Sequence, residues 1–414
     1  MFIIKYDVES IANLAFVLLF PGFFFYQTLI GLGILPPILG GYFSPVSAIF
    51  FPILLFFYVK KIFVKKNSIS IGDIFFILFI SYFSLIVSIN FSLGTSTKLV
   101  LSHILSIVQL IVVFLIFRFS DFSSDKFVIK NIISILIMSA IVFYYSDQGF
   151  FFLKSQNETD ENEALASYQG FARSLFVTVI VVLPFLKKNI ISIALICISL
   201  FALYINGARS ELVATIFAVA LFVLISSRYK VIVFIVGLVL LGLGAFYGNN
   251  LIELLPNNRS LQLLDATGST SWVARQGFLL SALASISKNP IFGDYGSYAR
   301  TGEIGSYAHN IISAWVDLGV VGFLLLVYSL LYPLVILSRC IFFAKNKSAE
   351  MLLVFILVLV TVFLLIGAKN YTYMLTGAAL GAYARFGNSN FKSKLSTRTE
   401  SKKKFYRFAK FYRF

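Results

Sequence analysis

Long, uninterrupted apolar runs recur along this chain, and a run of ~20 such residues can span a lipid bilayer as one helix. They fall near residues 11–33, 42–59, 71–91, 98–117, 127–145, 169–186, 189–205, 209–226, 230–247, 308–337, 349–367 and 370–385. A lipid interior offers no partner to backbone N–H and C=O groups, so only a helix or a closed barrel can cross it, and these runs lack the alternation of a barrel strand. The expected fold is therefore all-α and polytopic, with about 12 transmembrane helices. A hydrophobic share of 59%, against roughly 45–50% in soluble domains, agrees.

Charge orients the runs. Lys and Arg together number 34 against 18 acidic residues, an excess that need not mean nucleic acid, because membrane proteins collect cations in cytoplasmic loops. Lys60, Lys61, Lys65 and Lys66 follow the second run, and Arg118, Lys126 and Lys130 separate the fourth and fifth. Lys187 and Lys188 follow the sixth, Arg228 and Lys230 the eighth, and Arg339, Lys345 and Lys347 the tenth. These are all even-numbered junctions, so with twelve spans both termini are expected in the cytoplasm. The first run has only Lys5 before it and no small-residue cleavage site after it, so it is expected to be retained. Cys197 and Cys340 imply neither a disulfide framework nor a metal cluster.

The odd junctions differ. One is acidic, with Glu158, Asp160, Glu161 and Glu163. Another, residues 248–307, is too long for a connector. The expected organisation is thus nine spans over 1–247, an extracytoplasmic loop over 248–307, three spans over 308–385 and a basic cytoplasmic tail over 386–414. That tail, ending KKKFYRFAKFYRF, reads either as a segment lying on anionic lipid or as a solvated disordered end.

Within the long loop, WVARQGFLLSALASISKNP has helical spacing, which puts Phe278, Leu279, Ala282, Leu283 and Ile286 on one face with Arg275 near its middle. An arginine there points either toward an anion or along an interfacial helix as a snorkelling anchor. The Gly- and Tyr-rich segment that follows delivers His309 to the start of the next span, where a helix N-terminus favours neutral imidazole. His103, inside the fourth run with no charged neighbour in sequence, reads as a packing residue. Arg209 opens the eighth run after Asn206 and Gly207, where free N–H groups and a guanidinium suit an anion; pairing with Glu211 or a loop acid is the alternative. Asp317, among apolar residues of the tenth run, needs a partner, with an arginine as first expectation and a proton role as second.

GARSE opening a span, then WVARQGF, NPIFGDYG and SYAHNIISAWVDLGVVGF, resembles the O-antigen ligase and polymerase superfamily of bacterial inner membranes. The resemblance covers roughly residues 205–325, including the spacing from His309 and Asn310 to Gly319 and Gly322. It implies a glycosyltransferase that uses undecaprenyl-diphosphate-linked oligosaccharide as donor and acceptor, with no nucleotide sugar, metal or other cofactor. By the family's pattern Arg209 and Arg275 hold the diphosphate and His309 is the base. Arg300, Tyr307, Asn310 and Arg173 are secondary candidates for sugar or phosphate binding. Among acceptors, another lipid-linked repeat unit (a polymerase, with a chain-length regulator as possible partner) is favoured over lipid A core or protein (a ligase). A transporter or flippase also has about twelve spans, but such folds tend toward two similar halves with charges at the midplane, and no repeat is evident here.

Overall fold

The computed structural model describes residues 7–36, 41–63, 69–147, 150–151, 153, 168–186, 190–227, 232, 235, 270–301, 305–343 and 347–387. Within these the chain is all-α, apart from a two-residue antiparallel pairing of Ser146–Asp147 with Phe150–Phe151. Among the described residues, nine helices are long and apolar enough to cross a membrane, as a multi-pass protein requires. They are α1 (Val8–Gly31), α2 (Phe43–Phe63), α3 (Ile71–Ser92), α4 (Thr97–Phe119), α5 (Asp125–Tyr144), α6 (Tyr168–Phe185), α8 (Arg209–Ser226), α11 (Ile312–Phe343) and α12 (Ala349–Gly367). The seventh expected span is a shorter apolar helix, α7 (Ile190–Asn206). The last is a helix at residues 375–387, here α13. Two helices of the long loop complete the set, α9 (Thr270–Lys288) and α10 (Ser297–Thr301). The ninth expected span, the acidic junction, residues 248–269 and residues 388–414 of the basic tail lie outside the described residues, save helical 232 and 235.

The outer surface suits lipid. Ile74, Leu78, Leu85 and Ile89 of α3 are all between 42% and 54% exposed, a stripe that would aggregate in water. Lipid tails are as apolar as leucine, so the helices associate by close packing instead. Phe76 of α3 stacks on Phe114 of α4 with centroids 3.9 Å apart. Gly377 and Gly381 of α13 lie against the α4 backbone, where an added Cβ would come within 2.4 Å of the Leu110 oxygen and 2.2 Å of the Phe114 oxygen.

One end of the bundle is stapled by charge. Ser70 and Asp73 form a capping box that starts α3, and buried Asp73 also binds Arg118 from the end of α4, Nε to Oδ1 at 2.9 Å and Nη2 to Oδ2 at 3.2 Å. The Tyr58 hydroxyl of α2 donates to the same carboxylate at 3.1 Å. Arg385 of α13 reaches Glu350 at 3.2 Å and Asp121 at 3.1 Å. Arg118 lies at an even-numbered junction and Arg385 at the end of the last expected span, and both tie helix ends together. The opposite ends border two cavities.

Candidate functional site

At that opposite end, α11 begins at Ile312 and breaks at Gly319, whose φ of 68° and ψ of −176° interrupt the helix. Backbone groups freed at membrane depth must be satisfied by protein. The loop after α9 does this: Asp294 N–H donates to the Val316 oxygen at 2.6 Å, and Val320 N–H donates to the Ile291 oxygen at 3.2 Å. Trp315 Nε1 donates to the Pro290 oxygen at 2.7 Å, and the Tyr82 hydroxyl from α3 covers the Leu318 oxygen at 3.1 Å. The two backbones touch through glycine, because a Cβ on Gly319 would meet the Ile291 oxygen at 2.2 Å and one on Gly293 (φ 76°) the Val316 oxygen at 2.5 Å. The NPIFGDYG and WVDLG segments are therefore two halves of one clasp.

Asp317 locks the clasp. Its Oδ1 accepts the Gly296 N–H at 2.9 Å, and its Oδ2 lies 4.0 Å from His103 Nε2. His103 shares a 2.6 Å hydrogen bond through Nδ1 with the Tyr295 hydroxyl and a 3.3 Å one through Nε2 with that of Tyr298. Burial, reinforced by the nearby Asp317 charge, pushes both tyrosine hydroxyls well up, so both stay protonated, and a neutral imidazole accepts from one of them and donates to the other. Two expectations change here. Asp317 meets a histidine and a loop amide, where an arginine was expected, and His103, although packed, has a charged neighbour supplied by a segment more than 200 positions away that no local reading could bring to it.

Beyond the clasp, Arg209, Arg275 and His309 line one cavity of about 510 Å³. Three segments supply them. Gly207 (φ 77°) turns the chain into the first turn of α8, which presents Arg209. The helix α9 presents Arg275 and Phe278, held by Ala282 and Ile286 packing on Ala308, Ile312 and Val316. Arg275 thus lines the cavity. Leu283, assigned to the packed face by spacing, is 46% exposed and turns outward. His309 sits three residues before α11, and its segment is pinned to α12 by the Ile311 N–H donating to the Leu365 oxygen at 2.6 Å. The imidazole stands 4.8 Å from the Tyr307 ring and 6.1 Å from the Phe278 ring. Burial, then the charges of Arg275 and Lys369, push its pKa down to about 4, so it is neutral at physiological pH.

Lys369, absent from the sequence reading, follows α12 and pairs with buried Glu211 at 2.6 Å. The Ser210 hydroxyl donates to the same carboxylate at 2.7 Å. The signal was there: Lys369 lies in an odd-numbered junction, the side that cations mostly avoid.

The secondary candidates separate. Asn310 caps α11, its Oδ1 accepting the Ile312 N–H at 3.0 Å, which engages its side-chain oxygen with the backbone rather than a ligand. Arg173 is held between Phe23 and Phe43, 5.5 and 5.1 Å from their ring centroids, and is not among the residues lining the cavity. Arg300 pairs with Asp294 and, with Tyr307, lines a second cavity of about 640 Å³ on the other side of Phe278.

Fold and cavity together define a multi-pass membrane protein with a chamber that gathers two arginines and a histidine. Comparison with protein families and with characterised proteins returns no match to this chain.

Proposed function

We propose that the chain is an inner-membrane glycosyltransferase that extends a polysaccharide from lipid-diphosphate-linked repeat units. The observation that supports this most is the convergence of Arg209, Arg275 and His309, drawn from three separate sequence motifs, on one cavity. Guanidinium groups and the first N–H groups of α8 suit a diphosphate without metal. In this reading the cationic chamber faces the periplasm, opposite the lysine- and arginine-rich junctions, and the chain has twelve spans with both termini cytoplasmic.

His309 takes the proton from an acceptor hydroxyl as its oxygen attacks the anomeric carbon of the donor. The new C–O bond forms as the bond from that carbon to the phosphate oxygen breaks, with inversion for direct attack. The pair of electrons leaves on undecaprenyl diphosphate, which needs no protonation because the arginines stabilise its charge. A base at about 4 is weak, yet the diphosphate's negative charge opposes the influence of Arg275 and Lys369 on the ring. Donor binding therefore strengthens the base where it is needed.

The acceptor is read as another lipid-linked repeat unit. A deletion strain tests this directly: a single repeat on lipid A core supports a polymerase, whereas bare core with accumulated lipid-linked polymer marks a ligase. Normal chain-length ladders from His309→Ala, Arg275→Ala and Arg209→Ala proteins that insert at wild-type levels would end the catalytic reading.

A further inference from the structure

The helix α9 borders two cavities, not one. Its N-terminal half, through Trp272, Arg275 and Phe278, lines the cationic cavity, and its C-terminal half, through Ser281, Ser285 and Lys288, lines the second. Phe278 belongs to both walls. The segment entering α11 divides the same way, with Tyr307 in the second cavity and His309 in the first, their rings 4.8 Å apart. The histidine thus stands at the partition.

The two chambers differ in chemistry. The first is lined by Arg209 and Arg275 together with Glu211, whose charge Lys369 matches, so its balance is positive. In the second, Arg300 is matched by Asp294 and Lys288 is the remaining cation, among the hydroxyls of Ser281, Ser285, Ser297 and Ser306. Serine hydroxyls, a carboxylate and an ammonium supply short donors and acceptors for sugar hydroxyls, and Tyr307 and Phe278 offer aromatic surface for the apolar faces of pyranose rings. A chamber of about 640 Å³ has room for two or more sugar residues.

The geometry points to the second cavity as the acceptor subsite, taking the terminal sugars of a neutral or singly anionic oligosaccharide and presenting one hydroxyl across the partition to His309. This rests on the transferase reading of the first cavity. A base at the boundary reaches a hydroxyl from one chamber and an anomeric centre in the other, as a two-substrate transfer demands.

Binding to the purified full-length chain in lipid nanodiscs tests it, with two probes: undecaprenyl diphosphate without sugar, and the oligosaccharide freed by mild acid from the lipid-linked pool of cells carrying the gene. Ala284→Trp fills the second cavity from an exposed wall position and is expected to weaken oligosaccharide binding at least tenfold while leaving undecaprenyl diphosphate binding unchanged. Lys288→Ala, an exposed change that packing tolerates, should weaken oligosaccharide binding several-fold. Arg275→Ala should show the reverse pattern. Equal oligosaccharide affinity in the wild-type, Ala284→Trp and Lys288→Ala chains overturns the proposal, as does absence of oligosaccharide binding to wild type at millimolar concentration. Failure of wild type to hold undecaprenyl diphosphate, even with oligosaccharide bound, overturns the transferase reading and the acceptor role with it.

Discussion

The acid limb of the pH profile is where the electrostatics of His309 become measurable. Catalysis as proposed needs the neutral ring, and burial with Arg275 and Lys369 holds its pKa at about 4 against an ordinary 6.5. A depressed pKa keeps the base unprotonated further into acid: at pH 5 about nine-tenths of the rings are neutral with a pKa near 4, against about 3% at the ordinary value. The rate constant kcat/KM, which reports the free enzyme, should therefore stay flat from pH 8 to about 5 and fall only below that. Arg275→Gln removes the larger of the two charges and should move the limb upward, though short of 6.5, because burial remains the first cause. The limb of kcat, which reports the loaded enzyme, should lie higher than that of kcat/KM in wild type, since bound diphosphate offsets the cations. Initial rates in proteoliposomes on lipid-linked repeat units, taken from pH 4 to 8, give both limbs. A diphosphate esterified at both ends does not titrate in that range. A wild-type kcat/KM limb centred near 6.5, or a limb unmoved by Arg275→Gln, would refute this account of the base.

Gly319→Ala places a side chain 2.2 Å from the Ile291 oxygen at a φ of 68° and ψ of −176°, an extended positive-φ backbone that suits glycine alone, so the backbone should cost about 1–3 kcal/mol and the clasp more, seen as a lower unfolding midpoint in detergent. Asp317→Ala strands the Gly296 N–H and should cost ~1–3 kcal/mol, with Asp317→Asn recovering part of it; thermal unfolding of both variants checks the order. Arg118→Ala leaves Asp73 buried without its guanidinium, an expected loss of ~3–5 kcal/mol measured by urea unfolding in micelles. Lys369→Ala should leave insertion intact, judged by membrane-fraction yield, yet weaken undecaprenyl diphosphate binding several-fold by exposing the cavity to the unpaired Glu211 charge.

The apolar runs by themselves determined that this chain is a helical membrane protein and set most helix limits to within a few residues, because a backbone in lipid has so few ways to satisfy itself. Three of the motif residues were also legible, since an arginine set into an apolar face or a histidine at a helix start is locally anomalous. What only the tertiary structure decided depends on segments far apart in the chain. That the Asn310 side-chain oxygen takes the Ile312 N–H, and that Arg173 lies over aromatic rings from α1 and α2, came only from the assembled helices. His103 and Asp317 each read as lone polar groups in apolar helices, and Lys369 and Glu211 as unrelated charges. Their pairing arises because a helix broken at Gly319 must complete its hydrogen bonds with a loop, and because the end of α12 and the start of α8 meet at one cavity.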